Sequence, residues 1–199
     1  MNTVLLALTN KDIQQYLISR DQSLDILFKN IGPELFTGLP KPPYVALIGA
    51  VIGQIVRYTK AKSVRSKLYE VCGTDFPPSV ITNLTFQHWN YIGLGLDKVE
   101  VILRINQYLS TNNITLNTVE NIKSLKQIKG IGEWTINTTI LTSFMDWDTF
   151  PSGDLFIRKR IKKLYNLTKL PTNREVRNIS ERWKPYRSIV AWYLWRWFD

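Results

Sequence analysis

Cysteine and histidine each occur once in these 199 residues, as Cys72 and His88. One thiol cannot close an internal disulfide. One thiol and one imidazole are also too few ligands for a zinc site or a four-cysteine iron–sulfur cluster. Long apolar runs are missing too: Val4-Leu5-Leu6-Ala7-Leu8 is too short to span a bilayer and has no basic leader. The chain is therefore expected to be soluble and intracellular. Sustained apolar–polar alternation, the mark of a half-buried strand, occurs nowhere, and there is no internal repeat or low-complexity segment. Negative charge is scarce: 16 Asp and Glu stand against 26 Lys and Arg, a formal net charge of +10. That excess suits a polyanionic partner, but on its own it is equally consistent with general solubility or weak, unspecific polyanion binding.

What is present reads as helix almost throughout. A hydrophobic fraction of 44%, with 12% aromatic residues, is enough for a folded core. Ile13, Tyr16, Leu17, Leu24, Leu27 and Phe28 recur at helical spacing over 10–30. Leu39-Pro40-Lys41-Pro42-Pro43 forms a rigid linker into an apolar, buried helix at 44–57, whose entry suits proline. A basic amphipathic helix carrying Lys60, Lys62, Arg65 and Lys67 follows. Further helices are expected from Pro77 to Gly93 and over 98–110, 118–128, 133–144, 155–164, 172–183 and 185–197. The expectation is an all-α protein of about ten helices.

The most informative stretch is Leu125-Lys126-Gln127-Ile128-Lys129-Gly130-Ile131-Gly132-Glu133-Trp134. Gly-Ile-Gly between two apolar helical segments is the pattern of a helix-hairpin-helix turn, and the helix it opens presents N–H groups that can hold a phosphate oxygen. Twenty positions beyond Trp134 stands Asp154, in Phe150-Pro151-Ser152-Gly153-Asp154-Leu155. A carboxylate there can stabilise positive charge developing on a sugar, or orient or deprotonate a water. It can also simply cap the helix that follows.

Two more segments complete the pattern: Ile48-Gly49-Ala50-Val51-Ile52-Gly53-Gln54-Ile55-Val56 and Trp183-Lys184-Pro185-Tyr186-Arg187-Ser188. With the four in order over roughly residues 40–199, the chain resembles the 3-methyladenine DNA glycosylase II branch of the helix-hairpin-helix DNA glycosylase superfamily. The resemblance implies two helical lobes, one from residues 1–44 and 151–199, the other from 45–150 with the hairpin at about 118–144. The N-terminal sheet domain of some relatives is not expected. It also implies a monomer that flips alkylated purines, such as 3-methyladenine or 7-methylguanine, out of damaged double-stranded DNA and hydrolyses the N-glycosidic bond without a required cofactor.

By the same resemblance Asp154 is the catalytic carboxylate, and Trp134 and Tyr186 are pocket rings. Thr138 stands where a second aromatic can occur, which leaves the lesion preference open. Lys129, Gly130, Ile131, Gly132, Trp134 and Thr135 form the backbone clamp. The carbonyls of Lys126, Ile128 and Gly130 are the positions that can hold a sodium or potassium ion. Ile55 is the wedge, unless it is merely a buried helix residue, and Gln54 either meets the opposite base or braces the loop. Relatives that also cut the strand carry a nucleophilic lysine where this chain has Trp134, so no lyase activity is expected. Basic groups at Arg57, Lys60, Lys62, Arg65 and Lys67, and at Arg158, Lys159, Arg160, Lys162 and Lys163, are candidate phosphate contacts or plain solvated faces. Two alternatives stay open: the same fold with a preference for uracil, hypoxanthine or ethenoadenine, and a non-catalytic DNA-binding hairpin module.

Overall fold

Residues 10–32 and 40–197 are described in the computed structural model; the Val4–Leu8 run, Pro33 and the Leu39 end of the linker lie outside the described residues. Among the described residues there is no strand, and twelve α-helices follow one another: α1 (Asn10–Arg20), α2 (Leu24–Ile31), α3 (Pro43–Gly53), α4 (Tyr58–Cys72), α5 (Pro78–Thr82), α6 (Phe86–Ile92), α7 (Leu96–Thr111), α8 (Val119–Ser124), α9 (Glu133–Phe144), α10 (Leu155–Leu164), α11 (Asn173–Ser180) and α12 (Arg187–Arg196). Short 3₁₀ turns extend α8 over Leu125–Gln127 and α11 over Glu181–Trp183.

Two more helices form than the apolar spacing suggests, and both extra breaks have a local cause. Asp21 interrupts the 10–30 segment because its buried carboxylate has work elsewhere: Oδ1 accepts the Ser23 N–H at 3.2 Å, and Oδ2 accepts Trp183 Nε1 at 2.9 Å and the Tyr165 hydroxyl. The Pro77–Gly93 segment splits at Thr85, whose hydroxyl accepts the His88 N–H at 3.4 Å while His88 Nδ1 accepts the Thr85 N–H at 3.0 Å. This is a capping box with histidine in the usual Glu or Gln position, which hides it from a simple motif search.

The chain divides into two compact units: Leu39–Met145 is one, and the flanking segments ending at Gly38 and beginning at Asp146 form the other. At the centre of the first unit is α3, apolar on nearly every face, with Tyr44, Val45, Leu47, Ile48, Val51 and Ile52 buried. A helix without a polar side must be surrounded, and α3 packs against α9, α4 and α7. Enclosed polar groups here pair with one another: Tyr44 donates to Asn106 Oδ1 at 2.6 Å, and Asn106 Nδ2 donates to Thr82 Oγ1 at 3.1 Å.

The second unit has its own all-round apolar helix, α12, with every residue from Ser188 to Leu194 buried. Around it pack α2 and α10. Leu24, Leu27 and Phe28 from α2 and Ile157 and Ile161 from α10 are buried.

Candidate nucleic-acid interface and catalytic site

The hairpin is a tight turn closed by the Ile131 N–H donating to Ile128 O at 3.0 Å. Gly130 occupies the third position with φ +100°, where a side chain is strained. Packing excludes a side chain as well, since a Cβ on Gly130 would stand 2.5 Å from Val101 Cγ2. Gly132 differs. It is the N-cap of α9 with extended backbone (φ −103°, ψ 177°), and a Cβ there would meet nothing within 4 Å. Any residue could adopt that conformation, so the fold itself does not require this glycine.

Lys126, Lys129, Gly130, Gly132 and Glu133 are exposed around the turn, and Gly132 offers no side chain to cap the first turn of α9. Ile131 is buried and anchors the loop. Thr135 is 1% exposed and its hydroxyl accepts Gln54 Nε2 at 2.9 Å, inside the hairpin's base, which leaves only its main chain to serve a backbone clamp. Two of the three carbonyls named as cation positions accept a hydrogen bond. Ile128 O already accepts Ile131 N, and Gly130 O accepts Gln54 Nε2 at 2.9 Å, yet each carbonyl has a second lone pair. Among the described residues no group of three or more His, Cys, Asp or Glu could hold a metal ion.

Gln54, directly after α3, thus braces the loop through its side-chain Nε2. Its neighbour Ile55 is not a buried helix residue: it lies beyond the end of α3, is 93% exposed and has φ +57°. For a β-branched side chain that conformation is an outlier costing roughly 1–3 kcal/mol. The ammonium of Lys98 sits beneath this turn, donating to Ile52 O and Gln54 O, both at 2.8 Å.

Trp134, in the first turn of α9, is partly buried against α3; a Cβ on Gly53 would stand 3.3 Å from its Cη2. One helical turn later Thr138 Oγ1 is buried with no hydrogen-bond partner. Arg65 is not part of a solvated basic face. It lies along Gly49 and Gly53, its Nη1 3.4 Å from Gly49 O, and burial pushes its pKa down despite the nearby Tyr58 and Tyr69.

In the other unit, Asp154 is 5% exposed and is the N-cap of α10. Oδ1 accepts the Ile157 N–H at 2.8 Å and Oδ2 accepts Trp195 Nε1 at 3.0 Å. Capping is therefore real, and it takes only one of the two oxygens. Trp195 was not singled out by sequence: 41 positions separate it from Asp154, and it sits among other tryptophans that read as core. Tyr186 is 6% exposed, held edge-on by Tyr16 (centroids 5.4 Å apart) and Trp147 (6.3 Å). Burial raises its hydroxyl pKa, with Tyr16 adding to the effect.

Much of the α10 basic group is engaged. Arg158 Nε donates to Pro171 O at 2.8 Å, Arg160 Nε donates to Trp197 O, and Lys163 lies over the Trp197 ring at 5.3 Å. Lys159 and Lys163 are the exposed members of that group.

A glycine hairpin opening a helix, and a buried aspartate capping a later one, define the helix-hairpin-helix class of DNA glycosylase fold. No family model matches the chain. DNA-3-methyladenine glycosylase 1 of Schizosaccharomyces pombe is 32% identical over 165 residues, covering 78% of this chain and 72% of the relative. The alkylbase DNA glycosidase-like protein mag2 of the same organism is 27% identical over 94% of this chain and 92% of its own length. Among solved structures, the S. pombe 3-methyladenine DNA glycosylase in complex with abasic DNA superposes with a TM-score of 0.77 at 28% identity, covering 92% of this chain and 95% of that one. A 3-methyladenine DNA-glycosylase from Archaeoglobus fulgidus shares the fold, with a TM-score of 0.76 at 20% identity. The chain belongs to the DNA-3-methyladenine glycosylase family.

Proposed function

We propose that this protein is a monofunctional DNA glycosylase that releases alkylated purines, of the 3-methyladenine and 7-methylguanine type, from double-stranded DNA, as the opening step of base excision repair. It acts as a monomer inside the cell. The observation that carries the reading is Asp154, a buried carboxylate with one oxygen capping α10 and the other held by an indole N–H.

Breaking an N-glycosidic bond leaves positive charge on the sugar, and a fixed anion beside it stabilises the transition state without having to reorganise. Each oxygen of Asp154 accepts from an N–H group. With both oxygens engaged, the side chain is better suited to electrostatic stabilisation than to swinging toward a water as a base. Trp134 offers a ring for the flipped base, and Tyr186, held edge-on by its neighbours, is the second ring. Stacking and cation–π contact with a cationic alkylpurine contribute roughly 0.5–2 kcal/mol per ring. That positive charge also makes the base a good leaving group. Indole cannot form a Schiff base, so the product is an abasic site in an intact strand.

The hairpin grips phosphate through backbone N–H groups at the start of α9, assisted by Lys126 and Lys129. Gly132 leaves room for that approach. A sodium or potassium ion on the Lys126, Ile128 and Gly130 carbonyls supplies further neutralisation of phosphate charge when bound. Ile55 fills the stack the base leaves.

A second reading concerns lesion breadth. The buried Thr138 hydroxyl has no partner, and such a group on the Trp134 face of α9 can meet the polar edge of a neutral base. Hypoxanthine and ethenoadenine are then additional substrates.

The test is release of free base from methylated duplex DNA by wild type and Asp154→Asn at matched DNA binding. Wild type is expected to release base and leave strands intact until alkali is added, and the variant to lose release while still binding. If wild type binds in a salt-sensitive way but releases nothing, alkylpurine excision is wrong. Uracil, hypoxanthine and ethenoadenine duplexes then decide between another lesion and a binding module.

A further inference from the structure

The turn after α3 combines two features that do not normally persist together. Ile55 is an apolar, β-branched residue held at φ +57°, and it is 93% exposed, so burial of its side chain does not offset the strain. A conformation like this survives only where its surroundings over-determine it. Here the restraint comes from both sides of Gln54. Its side-chain amide donates to Gly130 O and Thr135 Oγ1, both at 2.9 Å, which ties the turn to the hairpin. Its main-chain carbonyl, with that of Ile52, accepts the Lys98 ammonium, both at 2.8 Å. These are the carbonyls at a helix C-terminus, which lack intrahelical partners and carry the negative end of the helix dipole. Lys98 reaches them from the first turn of α7, 46 and 44 positions away in the chain. Keeping a lysine there has a cost, because burial lowers its pKa even with Asp97 nearby opposing the shift.

We propose that Lys98 is a positioning residue for DNA unstacking: by holding the Ile52 and Gln54 carbonyls it fixes Ile55 outward and makes the insertion turn and the hairpin one rigid piece. The inference rests on the glycosylase reading above, with Ile55 as the residue that fills the vacated stack. Lys98 itself touches neither base nor sugar. It acts on the step that opens the duplex and leaves bond cleavage to Asp154.

That division gives a measurement an ordinary structural lysine would not move. Single-turnover release of 7-methylguanine is compared on two duplexes, one with the lesion opposite cytosine and one with it opposite an abasic-site analogue, where less stacking has to be broken. For Lys98→Met and for Ile55→Ala, the ratio of the paired to the unpaired rate should fall at least about tenfold below wild type, since unstacking a base costs a few kcal/mol. The double variant should fall no further than either single one. If Lys98→Met slows both duplexes equally, or neither, while Ile55→Ala changes the ratio, Lys98 is only a helix cap and the proposal is overturned. If Ile55→Ala leaves the ratio unchanged, the wedge assignment falls and the proposal with it. Absence of release by wild type from either duplex refutes the glycosylase reading instead. Should Lys98→Met not fold, Lys98→Ala, which also removes the donor, carries the same comparison.

Discussion

Gly130 and Gly132 are two residues apart and are glycine for different reasons. At Gly130 the positive φ and the nearness of Val101 Cγ2 both exclude a side chain, so Gly130→Ala should destabilise the protein by about 1–3 kcal/mol in a denaturant melt. Gly132 is extended and faces open space. Serine is a better N-cap than glycine by a few tenths of a kcal/mol, so Gly132→Ser should melt no lower than wild type. DNA affinity should nevertheless fall, because the new side chain occupies the space left for a phosphate. Equal loss of stability and affinity in Gly132→Ser would show that the glycine serves the fold after all. Trp195 supports a parallel argument. Trp195→Phe keeps a ring but removes the N–H that fixes Asp154 Oδ2, and it should lower the rate of base release while leaving DNA binding near wild type.

Among the elements, α3 and α12 show how much of the fold can be read directly. Neither has helical periodicity in its apolar residues, and that lack is itself the signal: a helix apolar on all sides belongs at the centre of a unit. The hairpin was equally legible, since Gly-Ile-Gly between helices leaves few conformations available. Features that depend on one side chain reaching across the fold were not legible. Nothing in the spacing of Lys98, Arg65 or Trp195 announces that each turns inward to meet a carbonyl or a carboxylate. The Thr135 hydroxyl is a further case, because Gln54 reaches across from α3 to claim it. The link between α3 and α9 through Gln54 can be tested at this scale. Gln54→Ala should speed amide hydrogen exchange across Gly130–Trp134 and weaken DNA binding, while exchange in α12 stays unchanged.

Across the whole molecule the dominant property is charge. A formal +10 favours a long-range attraction to DNA, but several basic side chains are already engaged within the fold. Arg65 is half-buried along Gly49 and Gly53, and Arg158, Arg160 and Lys163 are engaged with carbonyls or a ring. The slope of log K against log salt reports the number of phosphates neutralised, at about −0.9 per contact. Lys129→Gln at the hairpin should make that slope shallower by about one and weaken binding to all sequences alike. An unchanged slope would remove Lys129 from the interface.

The division of the chain also bears on how the protein is made. The unit carrying the hairpin is complete once Met145 has been added, whereas the unit carrying Asp154 joins α1 and α2 to helices that begin only at Leu155. Domains tend to fold as units in order of synthesis. The unit that carries the hairpin can therefore form while α1 and α2 still wait for their partners. A nascent chain with Met145 clear of the ribosome would hold every residue of the hairpin unit while α1 and α2 still lacked the helices that begin at Leu155.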